Sequence, residues 1–288
     1  MPIRVHIGGR ICPPEEAKVS VFDRGFLYGD SVYETIGTAH GKLFAARDHL
    51  DRLERSAERI GLRTPPRAAI EKAIADTIAA AGFPESRVRV ILTRGAGELN
   101  LDPASTNDTQ LIVMVFPLGA PTPEMYEKGV AVAIVSITRN SPSSLDPMVK
   151  SGNYLNNVLA LGEARRRSKA YEAILCGGDG SIAEGSTSNV FIVVGGEVRT
   201  PPPEVGILDG ITRAKAIGLC RDNGIPFVER RITPDQLRGA DEVFITSATR
   251  GVLPVTSIDE KPVAGGAPGP VTRRLIGLYD ALARRGVD

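Results

Sequence analysis

The sequence has few of the residues that disulfide-stabilised or metal-binding proteins need. Its 288 residues include three cysteines, which are far apart and form no C-x-x-C motif. An odd number of cysteines at such spacing predicts neither a disulfide framework nor a zinc site. The three histidines also lack the spacing of metal ligands. We therefore expect no bound metal and a reducing compartment.

Excess charge and long apolar runs are missing as well. The chain has 35 Lys and Arg against 34 Asp and Glu, with both signs interspersed. This balance provides no electrostatic field for nucleic acid or for a membrane surface. The longest apolar stretch, residues 111–116, is far shorter than the roughly 20 residues of a membrane-spanning helix. Residues 1–6 lack the apolar core of a signal peptide, and we expect a cytoplasmic protein.

Two common catalytic motifs are absent from the sequence. It contains no G-x-S-x-G nucleophile motif, and no G-x-G-x-x-G run follows a predicted strand. The glycine-rich residues 177–180 are predicted to form a hairpin turn. Neither a serine hydrolase nor a dinucleotide-binding enzyme is therefore indicated.

Hydrophobic periodicity predicts a mixture of helices and strands, which is an α+β fold class. Apolar residues at helical spacing predict helices over 46–60, 70–81, 153–168 and 271–284, and one after Gly210. Runs of β-branched residues predict strands at 88–92, 111–115, 130–137, 173–175, 190–194 and 243–246.

The segment 117–124 interrupts this pattern of helices and strands. It contains three prolines and a glycine, which is typical of an interdomain linker. The sequence therefore predicts a first domain of residues 1–116, a linker over 117–124 and a second domain of residues 125–288.

The most informative stretch of the chain surrounds Lys150, a lone lysine among small and polar residues just before a predicted helix. Glu184 follows downstream, and the turn Leu208–Arg213 then leads through Gly210 into another predicted helix. An amine, a carboxylate and a glycine turn entering a helix are what an enzyme needs to hold pyridoxal phosphate. They would form an imine, pair with the pyridine nitrogen and bind the phosphate.

In this order the motifs resemble the fold-type IV pyridoxal-phosphate enzymes, or class IV aminotransferases. That family includes branched-chain and D-amino-acid aminotransferases, (R)-amine transaminases and aminodeoxychorismate lyase. The resemblance extends from Phe22-Asp23-Arg24-Gly25 to Gly269-Pro270-Val271-Thr272. It implies a two-domain structure, with a small α/β domain packed on a larger pseudo-barrel domain and pyridoxal 5'-phosphate between them. It also implies a homodimer.

The resemblance assigns roles to individual residues. Lys150 forms the internal aldimine and then moves the proton between substrate and cofactor, while Glu184 pairs with the pyridine nitrogen. A helix N-terminus binds the phosphate through its N–H groups. The residues implied to contact the cofactor are Arg52, Lys150, Tyr154, Glu184, Leu208, Gly210, Ile211, Thr212, Ala248 and Thr249.

Two positions near Pro254 depart from the family pattern. Counting back from this proline, the phosphate-binding threonine of the family falls on Ala248, which has no hydroxyl. Backbone N–H groups, or the hydroxyl of Ser247 or Thr249, are the alternatives. Arg250 stands where branched-chain enzymes carry a small residue whose amide helps to bind the substrate carboxylate. It would either bind that carboxylate itself or fold outward to solvent.

The assignment of Arg52 to the phosphate conflicts with its place on the predicted helix 46–60. At 100° per residue, Arg52 falls roughly 120° from the centre of the apolar stripe. A residue on that side of a helix normally meets solvent. The resemblance alone places Arg52 at the cofactor.

The resemblance also implies that residues 28–37 line the substrate pocket through Tyr28 and Tyr33. Arg89 aligns with the carboxylate-binding arginine of branched-chain enzymes, and Arg94 with that of D-amino-acid enzymes. The two arginines are five residues apart, so on one regular strand they would point to opposite faces. We therefore expect one of them to face the site.

We predict a pyridoxal-phosphate-dependent transaminase that uses an aliphatic or branched-chain amino acid and 2-oxoglutarate. Tyr154 and the C-terminal motif favour an L-amino acid, whereas the pair Tyr33-Glu34 is similar to D-amino-acid aminotransferase. A D-amino acid, an (R)-amine or, for a lyase, aminodeoxychorismate are the alternatives. A non-catalytic binding protein of the same fold is the alternative from another class, and the intact pair of Lys150 and Glu184 argues against it.

Overall fold

The structure is a computed structural model, and it describes residues 2–106, 108–119 and 121–286. The helices are α1 (Arg24–Tyr28), α2 (Ala46–Arg59), α3 (Arg67–Ala81), α4 (Pro123–Lys128), α5 (Leu155–Ser168), α6 (Ile211–Asp222), α7 (Pro234–Arg238) and α8 (Pro270–Arg285). The strands are β1 (Arg4–Ile7), β2 (Arg10–Cys12), β3 (Ser31–Ala39), β4 (Lys42–Leu43), β5 (Ser86–Thr93), β6 (Gln110–Pro117), β7 (Val130–Ile134), β8 (Glu172–Cys176), β9 (Ile182–Gly185), β10 (Asn189–Val194), β11 (Glu197–Thr200), β12 (Phe227–Glu229), β13 (Glu242–Ser247), β14 (Gly251–Ile258) and β15 (Lys261–Pro262).

The described chain divides into two compact units. The first comprises the described residues up to Leu118, the segment Val149–Asn153 and Gly286, and the second comprises the rest. Thus the segment that contains Lys150 packs in the first unit, although it follows the predicted linker in sequence. Five residues of the predicted domains and linker, Met1, Asn107, Ala120, Val287 and Asp288, lie outside the described residues. A domain division at 117–124 stays a proposal.

The first unit is built on a six-stranded antiparallel sheet with the order β2-β1-β6-β5-β3-β4. Helices α2 and α3 supply the apolar residues that cover one face of it. The predicted stripe of α2 is confirmed, because Leu50, Leu53 and Ala57 are buried against residues of β3, β5 and β6. Burying one large aliphatic side chain contributes roughly 1.5–3 kcal/mol, so this stripe determines which side of α2 faces the sheet.

The second unit is built on a nine-stranded mixed sheet with the order β12-β11-β10-β13-β14-β7-β8-β9, in which β15 also pairs with β14. Strand β7 pairs in parallel with both β14 and β8. Phe191 and Phe244, on neighbouring strands, stack with ring centroids 4.7 Å apart, and residues of α6 and α8 pack around them. Helix α5 packs instead against β7 and β8.

The predicted elements agree with the structure to within a few residues, but β3 and β14, strands of nine and eight residues, were not predicted from the sequence. Helix α5 begins two positions later than predicted, and β7 ends at Ile134 instead of continuing to residue 137. Gly177 and Ser181 close the predicted hairpin turn through a 2.8 Å hydrogen bond between their main chains. Within the ranges that the structure describes, no helix combines the length and the apolar character needed to cross a membrane.

Candidate active site

Lys150 is held by its main chain between a strand and a helix of the first unit. Its carbonyl oxygen accepts the N–H of Tyr33 on β3 at 2.9 Å. Its own N–H donates to Oγ of Ser56 on α2 at 3.2 Å. The next residue, Ser151, forms an isolated bridge with Val32. Because the segment adds to the edge of β3 in this way, the lysine side chain starts from a fixed point.

The ring of Tyr33 connects Lys150 with Arg89. Lys150 Nζ lies 4.6 Å from the ring centroid, and the guanidinium carbon of Arg89 lies 3.8 Å from it. Both distances are within the range of cation–π attraction. Arg89 is directly opposite Thr35 in the ladder of β3 and β5, so Tyr33, Thr35 and Arg89 share one face of the sheet. Of the predicted substrate residues, Tyr33 and Arg89 are thus brought to the lysine.

Glu34 belongs to the opposite face of β3 and is fully buried. Its carboxylate accepts hydrogen bonds from Arg52 Nε at 2.6 Å and Nη2 at 2.9 Å, and His49 Nδ1 lies 2.7 Å from it. Burial alone would raise the pKa of Glu34, but Arg52 and His49 hold it well below its usual range.

The expectation that Arg52 meets solvent is therefore wrong. The arginine is 8% exposed, because Glu34 compensates its charge inside the unit. Helix α2 buries a polar stripe of His49, Arg52 and Ser56 beside its apolar one. A wheel that scores only apolar residues cannot reveal such a stripe.

Arg94 makes structural contacts at the end of β5. Strand β5 ends at Thr93, so Arg94 lies just outside it. Its Nε and Nη2 bind the carboxylate of Asp30 at 2.7 and 3.0 Å, and it donates to two main-chain carbonyl oxygens just past α2. Arg24 binds the same carboxylate at 3.1 Å and lies over the ring of Tyr28. Burial would raise the pKa of Asp30, but Arg94 and Arg24 lower it.

Glu184, on β9 in the second unit, is a buried carboxylate with positioned partners. Its Oε2 accepts the main-chain N–H of Leu208 at 3.0 Å and the amide of Asn189 at 3.4 Å. Arg139 Nε lies 2.8 Å from Oε1, and since its N–H is not directed along that line, the contact is an ion pair. The carboxylate therefore lies next to a cation and N–H donors, which are surroundings that stabilise a negative charge.

Asn189 joins Glu184 to the start of α6. Besides Glu184, its side-chain amide binds the carbonyl oxygen of Leu208 at 2.9 Å. A Cβ atom at Gly210 would overlap Oδ1 of Asn189, so a larger residue there would displace the Asn189 side chain. No side chain of the described residues caps α6, and the N–H groups of Ile211 and Thr212 are left for an anion at the positive end of the helix dipole.

The turn between β13 and β14, which contains Ala248 and Thr249, lies beside the first turn of α6. Tyr279 of α8 connects the two, since the side chain of Thr212 is close enough to act on the pKa of its hydroxyl. Its ring packs against Gly251, where a Cβ atom would lie 2.8 Å from Cε1. Burial raises the pKa of Tyr279 to about 12, which keeps this connection neutral at physiological pH.

Arg250 is buried and does not fold outward to solvent. The carboxylate that it binds belongs to the chain itself, because Nη1 donates to Glu172 at 2.6 Å. Burial alone would lower the pKa of Arg250, but Glu172 raises it above its ordinary value. Tyr154 stands at the N-cap position of α5, where its side chain makes no capping hydrogen bond, and it is half-buried.

These residues fit the chemistry of pyridoxal phosphate. The second unit has a buried carboxylate for the ring nitrogen next to an uncapped helix N-terminus for the phosphate. Thr246 lies opposite Asn189 in the ladder of β10 and β13. In the described part of the chain its buried hydroxyl has no hydrogen-bond partner, which indicates room for a polar ligand. The first unit supplies a lysine amine.

Three contributors to this arrangement were missed in the sequence: Arg139, Asn189 and Glu172. Asn189 lies five residues after Glu184, and that proximity is the signal that could have revealed it. Arg139 and Glu172 are distant in sequence from the groups that they bind, so no local pattern reveals them. Among the described residues, no group of His, Cys, Asp or Glu is placed to hold a metal ion.

Replacing Gly210 with alanine is expected to weaken cofactor binding at least about tenfold, because the added methyl group displaces Asn189 and with it the anchor of Glu184. The matched control is Gly218→Ala in the same helix, where a Cβ atom meets nothing within 4 Å. That change should leave binding unaltered and raise stability by up to about 1 kcal/mol. Titration of both variants with pyridoxal phosphate, together with thermal unfolding, checks this; equal affinities would contradict it.

Comparison with known proteins gives consistent relatives. The sequence profile of the family described as amino-transferase class IV matches residues 31–258. The D-alanine aminotransferase of Bacillus licheniformis is 35% identical over 274 residues, which cover 95% of this chain and 94% of that protein.

Among solved structures, the branched-chain amino acid aminotransferase of Escherichia coli has a TM-score of 0.90 at 31% identity, covering 96% of this chain and 94% of that one. The branched-chain aminotransferase of Thermoproteus uzoniensis with norvaline has a TM-score of 0.90 at 34% identity, covering 98% and 95%.

Proposed function

Since the chain belongs to the class IV aminotransferase family, we propose that it transfers the amino group of an aliphatic or branched-chain L-amino acid to 2-oxoglutarate. The family is pyridoxal-phosphate-dependent, and an aminotransferase acts on an amino acid and a 2-oxo acid. The chain has the α+β, two-domain fold-type IV architecture of these enzymes. The identity of the donor and of the acceptor is the proposal.

The observation that carries it is the cluster of Lys150, Tyr33 and Arg89 on one face of the first unit's sheet. A guanidinium binds a carboxylate through two parallel N–H donors, which suits the second carboxylate of 2-oxoglutarate. The tyrosine ring suits the aliphatic side chain that must occupy the same place in the other half of the reaction. Tyr28 stays in the proposed substrate set beside Tyr33.

Lys150 and Glu184 have the chemical roles in the proposed site. Lys150 would hold the cofactor through Nζ and would accept the proton from the substrate carbon once the substrate amine has displaced it. Glu184, held by Arg139 and Leu208, keeps the ring nitrogen protonated. Pyridoxal phosphate, when bound, supplies the electron sink for the substrate carbanion.

Other residues are assigned to binding the phosphate and the edge of the cofactor ring. We propose that Arg52 and the first turn of α6 bind the phosphate through charge and N–H groups. Leu208 would pack against the ring, and Tyr154 would hold its phenolic oxygen. The turn containing Ala248 and Thr249 completes the phosphate site.

A D-amino acid is the second candidate donor. A D-alanine aminotransferase is among the relatives of comparable identity, and the pair Tyr33-Glu34 is similar to that group. An (R)-amine transaminase and a lyase of the same fold are the further alternatives, and both would use the same Lys150 and Glu184.

The enzyme is further proposed to be a homodimer. In the first unit, large apolar side chains are exposed on α1 and on the loop next to it, including Phe26 at 71% and Leu101 at 77%. Arg24 ties this loop to α1 through the carbonyl oxygen of Asn100 at 2.7 Å, so the patch is ordered. Exposed apolar residues of this size on adjacent segments are typical of a protein–protein interface.

A half-reaction screen tests the proposed donor. L-leucine is expected to convert the cofactor absorption band faster than D-alanine or (R)-1-phenylethylamine. In the return half, Arg89→Met should raise the KM for 2-oxoglutarate at least about tenfold, whereas the exposed Arg87→Met on the same strand should not. If either rival donor reacts at least about tenfold faster than L-leucine, the branched-chain proposal fails and the family membership stands.

A further inference from the structure

The turn between β13 and β14 contains a serine whose hydroxyl is oriented by its neighbour. Ser247 Oγ accepts the Nε–H of Arg250 at 2.7 Å. A guanidinium can only donate hydrogen bonds, so the serine hydroxyl acts as the acceptor here and directs its own proton elsewhere. Ser247 immediately precedes Ala248, which lacks the threonine hydroxyl that the family places at the phosphate.

The guanidinium of Arg250 is itself held by groups of β8 and of the loop after β9. Nη1 donates to Glu172 at 2.6 Å, and Nη2 donates to the carbonyl oxygen and hydroxyl of Thr187 at 2.8 and 2.6 Å. Glu172 also accepts the main-chain N–H of Thr187 at 2.9 Å. Hydrogen bonds between charged, buried groups are short and strong, so this arginine has one preferred position.

This set of contacts is unsuited to binding a substrate carboxylate. Four hydrogen bonds, spread over Nε and both terminal nitrogens of Arg250, already go to groups of the chain. A bidentate carboxylate needs two parallel donors on one edge of the guanidinium. The main chain is held as well, since the hydroxyl of Tyr126 donates to the carbonyl oxygen of Arg250 at 2.7 Å.

The turn lies where the proposed phosphate site needs a donor. Tyr279 packs on Gly251 at the end of the turn, and its hydroxyl lies near the side chain of Thr212 in the first turn of α6. Thr246, just before Ser247, is opposite Asn189, which supports the start of α6. The turn and the helix N-terminus therefore border the same region of the second unit.

We propose that Arg250 is a positioning residue: anchored on Glu172, it holds this turn and directs the Ser247 hydroxyl to the cofactor phosphate, in place of the hydroxyl that Ala248 lacks. The inference rests on the proposed function, because it requires the phosphate of pyridoxal phosphate at this turn. It explains why an arginine occupies position 250, which is small in branched-chain enzymes, in a chain that has alanine at position 248 instead of the family threonine.

The test compares the apoenzyme's affinity for pyridoxal phosphate with its affinity for pyridoxal, which lacks the phosphate. The dissociation constant for pyridoxal divided by that for pyridoxal phosphate, both measured by absorbance titration, is a ratio that reports the phosphate contacts alone. Ser247→Ala and Arg250→Lys are each expected to lower this ratio about tenfold, since a lysine ammonium cannot hold a serine, a glutamate and a threonine together. The double variant should lower it no further than either single change, because both act on one hydrogen bond.

If Arg250→Lys folds poorly, Glu172→Gln tests the same contact from its other side. This variant should also lower the ratio. The exposed Arg165→Lys on α5 is the control and should leave the ratio unchanged. An unchanged ratio in folded Ser247→Ala, additive losses in the double variant, or a loss in Thr249→Ala with none in Ser247→Ala would overturn the inference. So would a raised KM for the 2-oxo acid in Arg250→Lys with the ratio intact. A wild-type enzyme without preference for the phosphate would instead contradict the proposed function.

Discussion

Replacing Lys150 with alanine is expected to reduce transamination by at least about a thousandfold, because the covalent and the proton-transfer roles are lost together. The change removes no main-chain hydrogen bond, since Tyr33 and Ser56 bind the peptide groups of residue 150 and not its side chain. The variant should therefore fold. Single-turnover rates with L-leucine, and mass spectrometry after borohydride treatment, measure both losses: the wild type should gain the mass of the cofactor and Lys150→Ala should not.

Two further variants separate chemistry from charge. Lys150→Arg keeps a cation over Tyr33 but cannot bond the cofactor, so it should be as inactive as alanine. Lys72→Ala removes an exposed lysine paired with Asp76 on α3 and should retain full activity. Turnover by Lys150→Ala above about a thousandth of the wild-type rate would place the reacting amine elsewhere.

Replacing Glu184 with glutamine is expected to leave the cofactor bound and to lower turnover on the order of a hundredfold or more. A neutral amide cannot keep the pyridine nitrogen protonated, so the carbanion is poorly stabilised. The surroundings worsen the loss, because Asn189 and the N–H of Leu208 present donors to this group and Arg139 forms an ion pair with its charge. The NH2 group of a glutamine would face at least one of them.

Cofactor spectra and single-turnover rates, measured on the same samples, distinguish this effect from loss of the cofactor. The matched control is Glu204→Gln, an exposed glutamate of the same unit, which should behave as wild type. Near-normal turnover with an unchanged spectrum in Glu184→Gln would remove this residue from the site.

Helices were predictable where they are long enough to show their period. Helices α2, α3 and α5 have 14 or 15 residues each, and an apolar stripe over several turns is a strong signal. Helices α1, α4 and α7 were not predicted, since each has 5 or 6 residues. At 3.6 residues a turn, so short a helix does not repeat its pattern twice.

The burial of charged residues was not predictable from local patterns. Arg52 is placed on the polar side of α2 by its neighbours in sequence, yet Glu34 from β3 makes that side an interior one. The same holds for Arg250, whose partner Glu172 is far away in the chain. A charge can be buried when a compensating charge meets it, and only the fold brings the two together.

The sequence by itself determined the chemistry that the chain offers: the lysine, the glutamate and the glycine turn before a helix, in an order that resembles one enzyme family. These are local signals, because a residue type and its nearest neighbours define them. Which arginine faces the lysine was decided by tertiary structure alone. Arg94 leaves β5 and binds Asp30, whereas Arg89 stays in the strand and lies over Tyr33, and strand ends and long-range ion pairs depend on the packing of distant segments.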